Sequence, residues 1–206
     1  MDAKNADLEI LNMMNATEPS FRRRQLDDRS LILIDDLFRP DFITLFDRFL
    51  KTLPFSLADY DIEESRHVLH WIHEFTLEEV TTHPLVNFVY SRIRSATEKA
   101  CPESRIQLKR VHCNTSLYGD MQFPHYDITP GMTWLYYSNP VWEAAWMAET
   151  IFYDARGEPA CAVFPKPGRV VVFAADILHR GGVPSRECVE ARRSLAFKFL
   201  NQQTKE

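Results

Sequence analysis

The apolar positions of this 206-residue chain change period partway along it. Phe42, Leu45, Phe46, Phe49 and Leu50 recur at helical spacing behind Arg39-Pro40-Asp41, and a proline in the first turn suits a helix start. Leu85, Phe88, Val89 and Ile93 form a second stripe beside Arg92, Arg94 and Lys99, which predicts an amphipathic helix over residues 84–99. Before these helices, residues 31–34 are an unbroken apolar run that reads as a buried strand. Residues 1–28 carry only the short run Leu8, Ile10, Leu11, Met13 and Met14, so they are expected to be a peripheral extension with one weak helix. Residues 56–74 hold neither period; with His67, His70, Trp71 and His73 among them, they are expected to be irregular and lid-like. From Ile106 the texture becomes strand-like, at residues 106–118, 133–137, 150–153, 170–173 and 192–200, with Gly, Pro, Asp and Asn between.

Helices followed by short strands predict an α+β domain whose sheets close into a barrel or a double-sheet jelly roll, with the helices packed outside. The length fits one domain, taken as residues 29–206 with a core over about 106–200. Hydrophobic residues at 45% and charged residues at 26% are ordinary globular usage. With a formal net charge of −5 and scattered Lys and Arg, a surface that tracks phosphates is not expected, and nucleic acid is excluded as a partner. The basic run Arg22-Arg23-Arg24 reads as a solvated tail. Cys101, Cys113, Cys161 and Cys188 form no CxxC pair, and no signal peptide is evident, so a reducing cytoplasmic setting is expected. No apolar run approaches the ~20 residues that span a bilayer, and no membrane partner is expected.

Candidate chemistry sits at His125-Tyr126-Asp127. In an extended segment, residues two apart project to the same face, so the imidazole and the carboxylate can hold one metal. Two His and one carboxylate leave open coordination positions, the arrangement suited to Fe(II) oxygenases. For the third ligand, His179 and His112 compete. His179 is preferred because a strand bearing Arg192 begins shortly after it, and a guanidinium binds a carboxylate through two parallel hydrogen bonds. By its strand parity Arg193 shares a face with Leu195, Phe197 and Phe199, whereas Arg192 shares one with Ser194 and Ala196, where space remains for a ligand.

Over residues 106–200 the chain resembles the prolyl-hydroxylase-like branch of the 2-oxoglutarate- and Fe(II)-dependent oxygenases. Tyr118 precedes His125-Tyr126-Asp127; then follow Leu135-Tyr136-Tyr137-Ser138-Asn139, Trp142, Trp146 and Glu149-Thr150, Pro165-Lys166-Pro167-Gly168-Arg169, His179, Pro184-Ser185-Arg186 and Arg192-Arg193-Ser194-Leu195. The resemblance implies a double-stranded β-helix, a cupin-like jelly roll, with iron on His125, Asp127 and His179. It implies that Arg192 grips the distal carboxylate of 2-oxoglutarate, that Tyr137 hydrogen-bonds the same group, and that Tyr118 lines the pocket. The frequent Gly-Gly-Glu of that branch reads Met147-Ala148-Glu149 here.

The activity so implied consumes 2-oxoglutarate and dioxygen, releases succinate and carbon dioxide, and hydroxylates or oxidatively cyclises an unactivated C–H bond. The expected substrate is a small molecule such as an amino acid, a sugar or a biosynthetic intermediate. The alternatives are a peptidyl-prolyl or protein side-chain hydroxylase and a barrel that binds metal or ligand without turnover. Halogenation is disfavoured because Asp127 occupies the position a halide would need. His70 and His73 are read as structural more readily than as substrate ligands, and Trp142 and Trp146 as core. Glu149 is either a structural hydrogen-bonding group or a partner of a metal-bound histidine.

Overall fold

In a computed structural model of the chain, which describes residues 13–14, 17–102 and 105–202, two antiparallel sheets face one another. The Leu8, Ile10 and Leu11 part of the expected first helix lies outside the described residues. In spatial order the major sheet runs β1 (Ser20–Leu26), β2 (Arg29–Asp35), β9 (Val170–Ala174), β6 (Gly131–Tyr137), β11 (Arg192–Asn201), β5 (Ile106–Ser116), β4 (His70–Phe75) and β3 (Ser56–Asp59). The minor sheet is β10 (His179–Arg180), β7 (Thr150–Tyr153) and β8 (Pro159–Val163).

Strand alternation divides the interior into two cores. Trp134 and Tyr136 of β6, Val170 and Val172 of β9, and Leu195, Phe197 and Phe199 of β11 point outward. There they meet α1 (Pro40–Leu50) through Phe42, Phe46 and Leu50, α2 (Leu77–Thr82) through Val80, and α3 (Pro84–Ala100) through Val86, Val89 and Ile93. The intervening residues Leu135, Tyr137, Val171, Phe173 and Ala196 point the other way, onto Phe152 and Val163 of the minor sheet. Burial on both faces is why residues 170–173 read as an unbroken apolar run rather than an alternating one. Each fully buried Phe or Leu contributes roughly 1.5–3 kcal/mol relative to exposure.

Besides β8, which the sequence pattern did not predict, three segments before β5 depart from the sequence expectations. Residues 20–26, expected within the extension, form the edge strand β1, paired in register with β2 over its whole length. All its side chains but Leu26 are exposed, so no apolar period marks it, and Arg22, Arg23 and Arg24 belong to this strand rather than to a tail. Charged side chains on an edge strand discourage pairing with other chains. Residues 56–74 are irregular only over 60–69: β3 and β4 on either side extend the major sheet, and in β4 His70 and Ile72 are buried while Trp71 and Glu74 are exposed. His70 at an inward position and His73 on the opposite face, each in place of an apolar residue, hid that alternation. The short α2 carries too few apolar residues for a stripe; it starts on a reciprocal capping box between Thr76 and Glu79.

Candidate active site

Because the minor sheet covers only part of the major one, the inner faces of β5 and β4 carry polar residues over a cavity of about 260 Å³. Arg110, His112 and Asn114 of β5, alternate residues on one face, line it. His125 and His179 meet across its mouth by exchanging backbone hydrogen bonds of 2.9 and 3.0 Å, an isolated antiparallel bridge that joins two distant parts of the chain. Asp127 N–H donates to the Ala175 carbonyl at 2.9 Å and so stands on the same ledge.

Side-chain hydrogen bonds then set the chemistry. Nδ1 of His125 donates to the Phe123 carbonyl and Nδ1 of His179 to the Ile177 carbonyl, each at 2.9 Å, an assignment that places the proton on Nδ1 and leaves each Nε2 lone pair free. The two Nε2 atoms lie 3.9 and 3.7 Å from oxygens of Asp127. One ligand atom from each of the three residues falls within 4.8 Å of the others, and among the described residues this is the one such His, Cys, Asp and Glu group. Burial pushes the His179 imidazole down to about 4, which keeps its lone pair available. Burial opposes ionisation of Asp127, but the charge of Lys198 and the hydrogen bonds from Lys198 and Thr133 outweigh it and hold the carboxyl well below the usual range. Thr133 Oγ1 and Lys198 Nζ each donate to it at 2.5 Å. Two imidazole nitrogens and a deprotonated carboxylate facing one point suit a divalent first-row metal with positions left open, as the donor set of non-haem Fe(II) requires.

His112, the competing ligand, lines the same cavity but stands outside the cluster, and burial lowers its pKa far below the ordinary range. Its Nδ1 is buried without a partner among the described residues.

Arg192 lies at the other end of the cavity, 3% exposed. Its Nε donates to the Ala148 carbonyl at 3.1 Å, and its terminal nitrogens to Ser194 Oγ at 3.2 Å and Thr150 Oγ1 at 3.0 Å. All three acceptors are neutral, and among the described residues no carboxylate pairs with it. Burial lowers its pKa, the expected response of a cation short of a counter-charge. Arg193 faces the opposite way and is bound 2.8 Å from Asp47 of α1. The Tyr-Tyr-Ser-Asn segment fixes this arrangement: Asn139 Oδ1 accepts from Arg193 N–H at 2.7 Å and Asn139 Nδ2 donates to the Ala191 carbonyl at 2.9 Å, clasping the backbone on both sides of Arg192.

Tyr137 lies under Arg192, its ring centroid 5.4 Å from the guanidinium carbon, and its hydroxyl donates to Thr150 Oγ1 at 2.7 Å. Tyr118, expected in the pocket lining, is instead 56% exposed and sits under Arg186, outside the cavity wall, because residues 117–120 turn away after β5 ends. Glu149 bonds neither metal-site histidine, since both Nδ1 atoms are occupied by carbonyls. Met147 and Ala148 adopt positive φ of 55° and 65°, where glycine is unstrained, which accounts for a Gly-Gly pattern at this place. Trp142 is buried and donates to the Met147 carbonyl at 2.9 Å, Trp146 packs edge-on against it, and Trp134 lies in the helix-side core.

Two groups were not anticipated. Lys198 gave no sign beyond its inward strand parity with Arg192. Asp61, in the segment expected to be lid-like, accepts from His70 Nε2 at 2.9 Å and from Phe123 N–H at 2.6 Å, and lies 3.2 Å from His125 Nδ1. Burial opposes its ionisation, yet the His70 hydrogen bond and the neighbouring histidine charges keep its pKa lowered. No short motif signals such a partner.

Neither any family model nor any curated protein sequence matches the chain. Solved structures do. A prolyl hydroxylase from Trichoplax adhaerens, solved with a hypoxia inducible factor oxygen degradation domain peptide, superposes with a TM-score of 0.64 at 14% identity, over 98% of this chain and 94% of that one. A prolyl 4-hydroxylase from Phytophthora capsici gives 0.60 at 20% identity over 83% of this chain, which spans 58% of the length of that protein. The non-haem, alpha-ketoglutarate-dependent epimerase of nogalamycin biosynthesis gives 0.60 at 14% identity, over 83% and 77%. By these likenesses the fold is that of the prolyl-hydroxylase-like branch of the 2-oxoglutarate- and Fe(II)-dependent oxygenases.

Proposed function

We propose that this protein is a 2-oxoglutarate-dependent Fe(II) oxygenase, built on a double-stranded β-helix, that oxidises a C–H bond of a small molecule. The observation that carries the reading is the pairing, within one cavity, of a His125, Asp127 and His179 cluster with a buried Arg192 that has no acidic partner among the described residues. A divalent metal satisfies the first and a dicarboxylate the second.

His125 and His179 would hold the iron through Nε2 and Asp127 through a carboxylate oxygen. Iron there would supply dioxygen activation coupled to decarboxylation of 2-oxoglutarate. In the hydroxylating case one oxygen atom enters succinate and the other the substrate, and carbon dioxide leaves. The carbonyl acceptors on both Nδ1 atoms keep the imidazoles in ligand orientation, and Thr133 fixes the carboxylate plane. Arg192 takes the distal carboxylate of 2-oxoglutarate with the donor capacity its three neutral acceptors leave unused, while Tyr137 braces the guanidinium from below. Leu135 and Phe173 give part of the cavity wall an apolar surface.

The small-molecule reading is supported by the cavity's size, about 260 Å³, below the ~300–1,000 Å³ usual for sites that enclose a drug-sized ligand. Anaerobic titration with Fe(II) and then 2-oxoglutarate tests the proposal, followed by succinate measurement in air across metabolite pools and, separately, a peptide lysate. Wild-type protein should bind both and release succinate slowly without substrate, whereas Asp127→Ala and His179→Ala should neither bind iron nor form succinate. Wild-type metal affinity and turnover in either variant would rule the cluster out and turn attention to His112.

A further inference from the structure

The inward face of β11 reads Arg192, Ser194, Ala196, Lys198: two cations separated by two small residues, all on the cavity wall. At ~3.3 Å per residue the two charged positions stand roughly 20 Å apart along the strand. Lys198 is directly opposite Thr133 on β6 and Arg110 on β5. Like charges directly opposite on neighbouring strands are unfavourable, so each needs a carboxylate. Arg110 has two of its own, Asp59 at 3.1 Å and Glu74 at 3.0 Å. Lys198 has only Asp127 among the described residues.

Resting on the oxygenase reading above, formal charges within the loaded cavity can be matched. A divalent cation and the Arg192 guanidinium balance the Asp127 carboxylate and the 2-oxoglutarate dianion. Asp59 and Glu74 both contact Arg110, one carboxylate more than it needs, and Asp61 is engaged by His70, but none of the three contacts Lys198. Lys198 is then left with an acceptor whose charge is already committed to the metal. Its side chain is 15% exposed, and a charge that far from water is costly unless it is paired.

We infer that Lys198 receives the carboxylate of the primary substrate, which is therefore a small monoanionic carboxylic acid, held at the opposite end of the β11 row from the co-substrate acid on Arg192. The alkyl stem of Lys198 lets its ammonium turn from Asp127 toward an incoming anion without moving the strand, and Thr133 keeps its hydrogen bond to the metal-ligand carboxylate meanwhile.

The test uses the full chain loaded with Mn(II), a redox-silent stand-in, and 2-oxoglutarate. Calorimetric titrations follow with a panel of α-amino acids and short-chain carboxylic acids, each beside its methyl ester. At least one free acid should bind, its ester about tenfold or more weaker. Measured at saturating Mn(II), because the substitution also removes a hydrogen bond to Asp127, Lys198→Met should lose that acid by a similar factor while keeping wild-type affinity for 2-oxoglutarate, and Lys198→Arg should retain it. Equal binding of acid and ester, no binding by any acid in the panel, or undiminished acid binding by Lys198→Met would overturn the inference. So would an equal loss of 2-oxoglutarate affinity in Lys198→Met at saturating Mn(II), which would make Lys198 solely a positioning residue for Asp127. Wild-type protein that takes up neither Mn(II) nor 2-oxoglutarate would instead sink the oxygenase reading itself.

Discussion

The carboxylate of Asp61 stands 3.2 Å from Nδ1 of His125, on the side of the ring away from the metal cluster. The same carboxylate accepts from His70 Nε2 and Phe123 N–H, so it is anchored by β4 and by the segment leading into the site. A carboxylate behind a metal-ligating histidine raises its basicity and fixes its orientation, and removing such partners typically costs about 10–100-fold in metal affinity. Asp61→Ala should therefore weaken Fe(II) binding by about that factor. With iron saturating, its 2-oxoglutarate affinity should stay at the wild-type value; a fall in co-substrate affinity with unchanged iron binding would assign Asp61 a different role.

Arg192 and Arg193 are neighbours whose side chains face opposite ways, and on the proposed function only Arg192 meets the co-substrate. Arg192→Ala leaves a dicarboxylate unpaired in a buried site and should cost roughly 3–5 kcal/mol of 2-oxoglutarate affinity, while Arg192→Lys keeps the charge but loses the planar fork and should fall between. Arg193→Ala removes the buried partner of Asp47 and should lower the unfolding free energy while barely changing co-substrate affinity. Apparent 2-oxoglutarate affinities and denaturation curves on the same three variants separate the two effects.

Met147 has φ 55° and ψ −135°, a conformation that side-chain-bearing residues rarely adopt, and its side chain is largely exposed. Strain of this kind costs of the order of 1–3 kcal/mol. Met147→Gly should relieve more than it adds in unfolded-state entropy, raising stability by about 1 kcal/mol in urea denaturation. A destabilised variant would show that the Met147 side chain contributes packing that outweighs the strain.

Asp35 ends β2 under a bidentate grip from Arg169, at 2.7 and 2.9 Å, with Arg22 at 2.8 Å. Burial opposes its ionisation, but the Arg169 hydrogen bonds and charge, helped by Arg22 and Lys166, leave its pKa below the ordinary value. A carboxyl with a folded-state pKa below the unfolded one adds stability that is present above about pH 4 and is lost as the pH falls through the folded value. Asp35→Asn should thus destabilise by roughly 3–5 kcal/mol at pH 7, because Arg169 is left buried and unpaired. Guanidinium melts at pH 7 and pH 3 should show the gap between variant and wild type narrowing at the lower pH; a gap independent of pH would mean the carboxylate charge is not what the pair contributes.

Strand parity alone separates Arg192 from Arg193, because side chains alternate strictly and three large apolar residues follow Arg193 on its face. The apolar runs at residues 31–34 and 170–173 and the stripes of α1 and α3 were likewise legible, since burying those residues admits few other arrangements. His-x-Asp was visible as a pair for the same local reason. By contrast β1 is held by backbone pairing with nearly all its side chains in solvent, and β4 hides its alternation behind His70, which faces a polar cavity, and His73 on the other face. A hydrophobic period cannot report strands stabilised in those ways.

What the sequence by itself determined is therefore local: which segments repeat at helix or strand spacing, which residues share a face, and which side chains have the chemistry to bind a metal or an acid. Only the tertiary structure decided which of them meet. The bridge that sets His125 against His179, the placing of Tyr118 outside the cavity, the insertion of Asp61 behind a metal-site ring and the pairing of Lys198 with Asp127 each join positions that are far apart in the chain or depend on where a turn leaves a sheet. Such contacts follow from how two sheets close over one another, and no periodicity within a single segment encodes that closure.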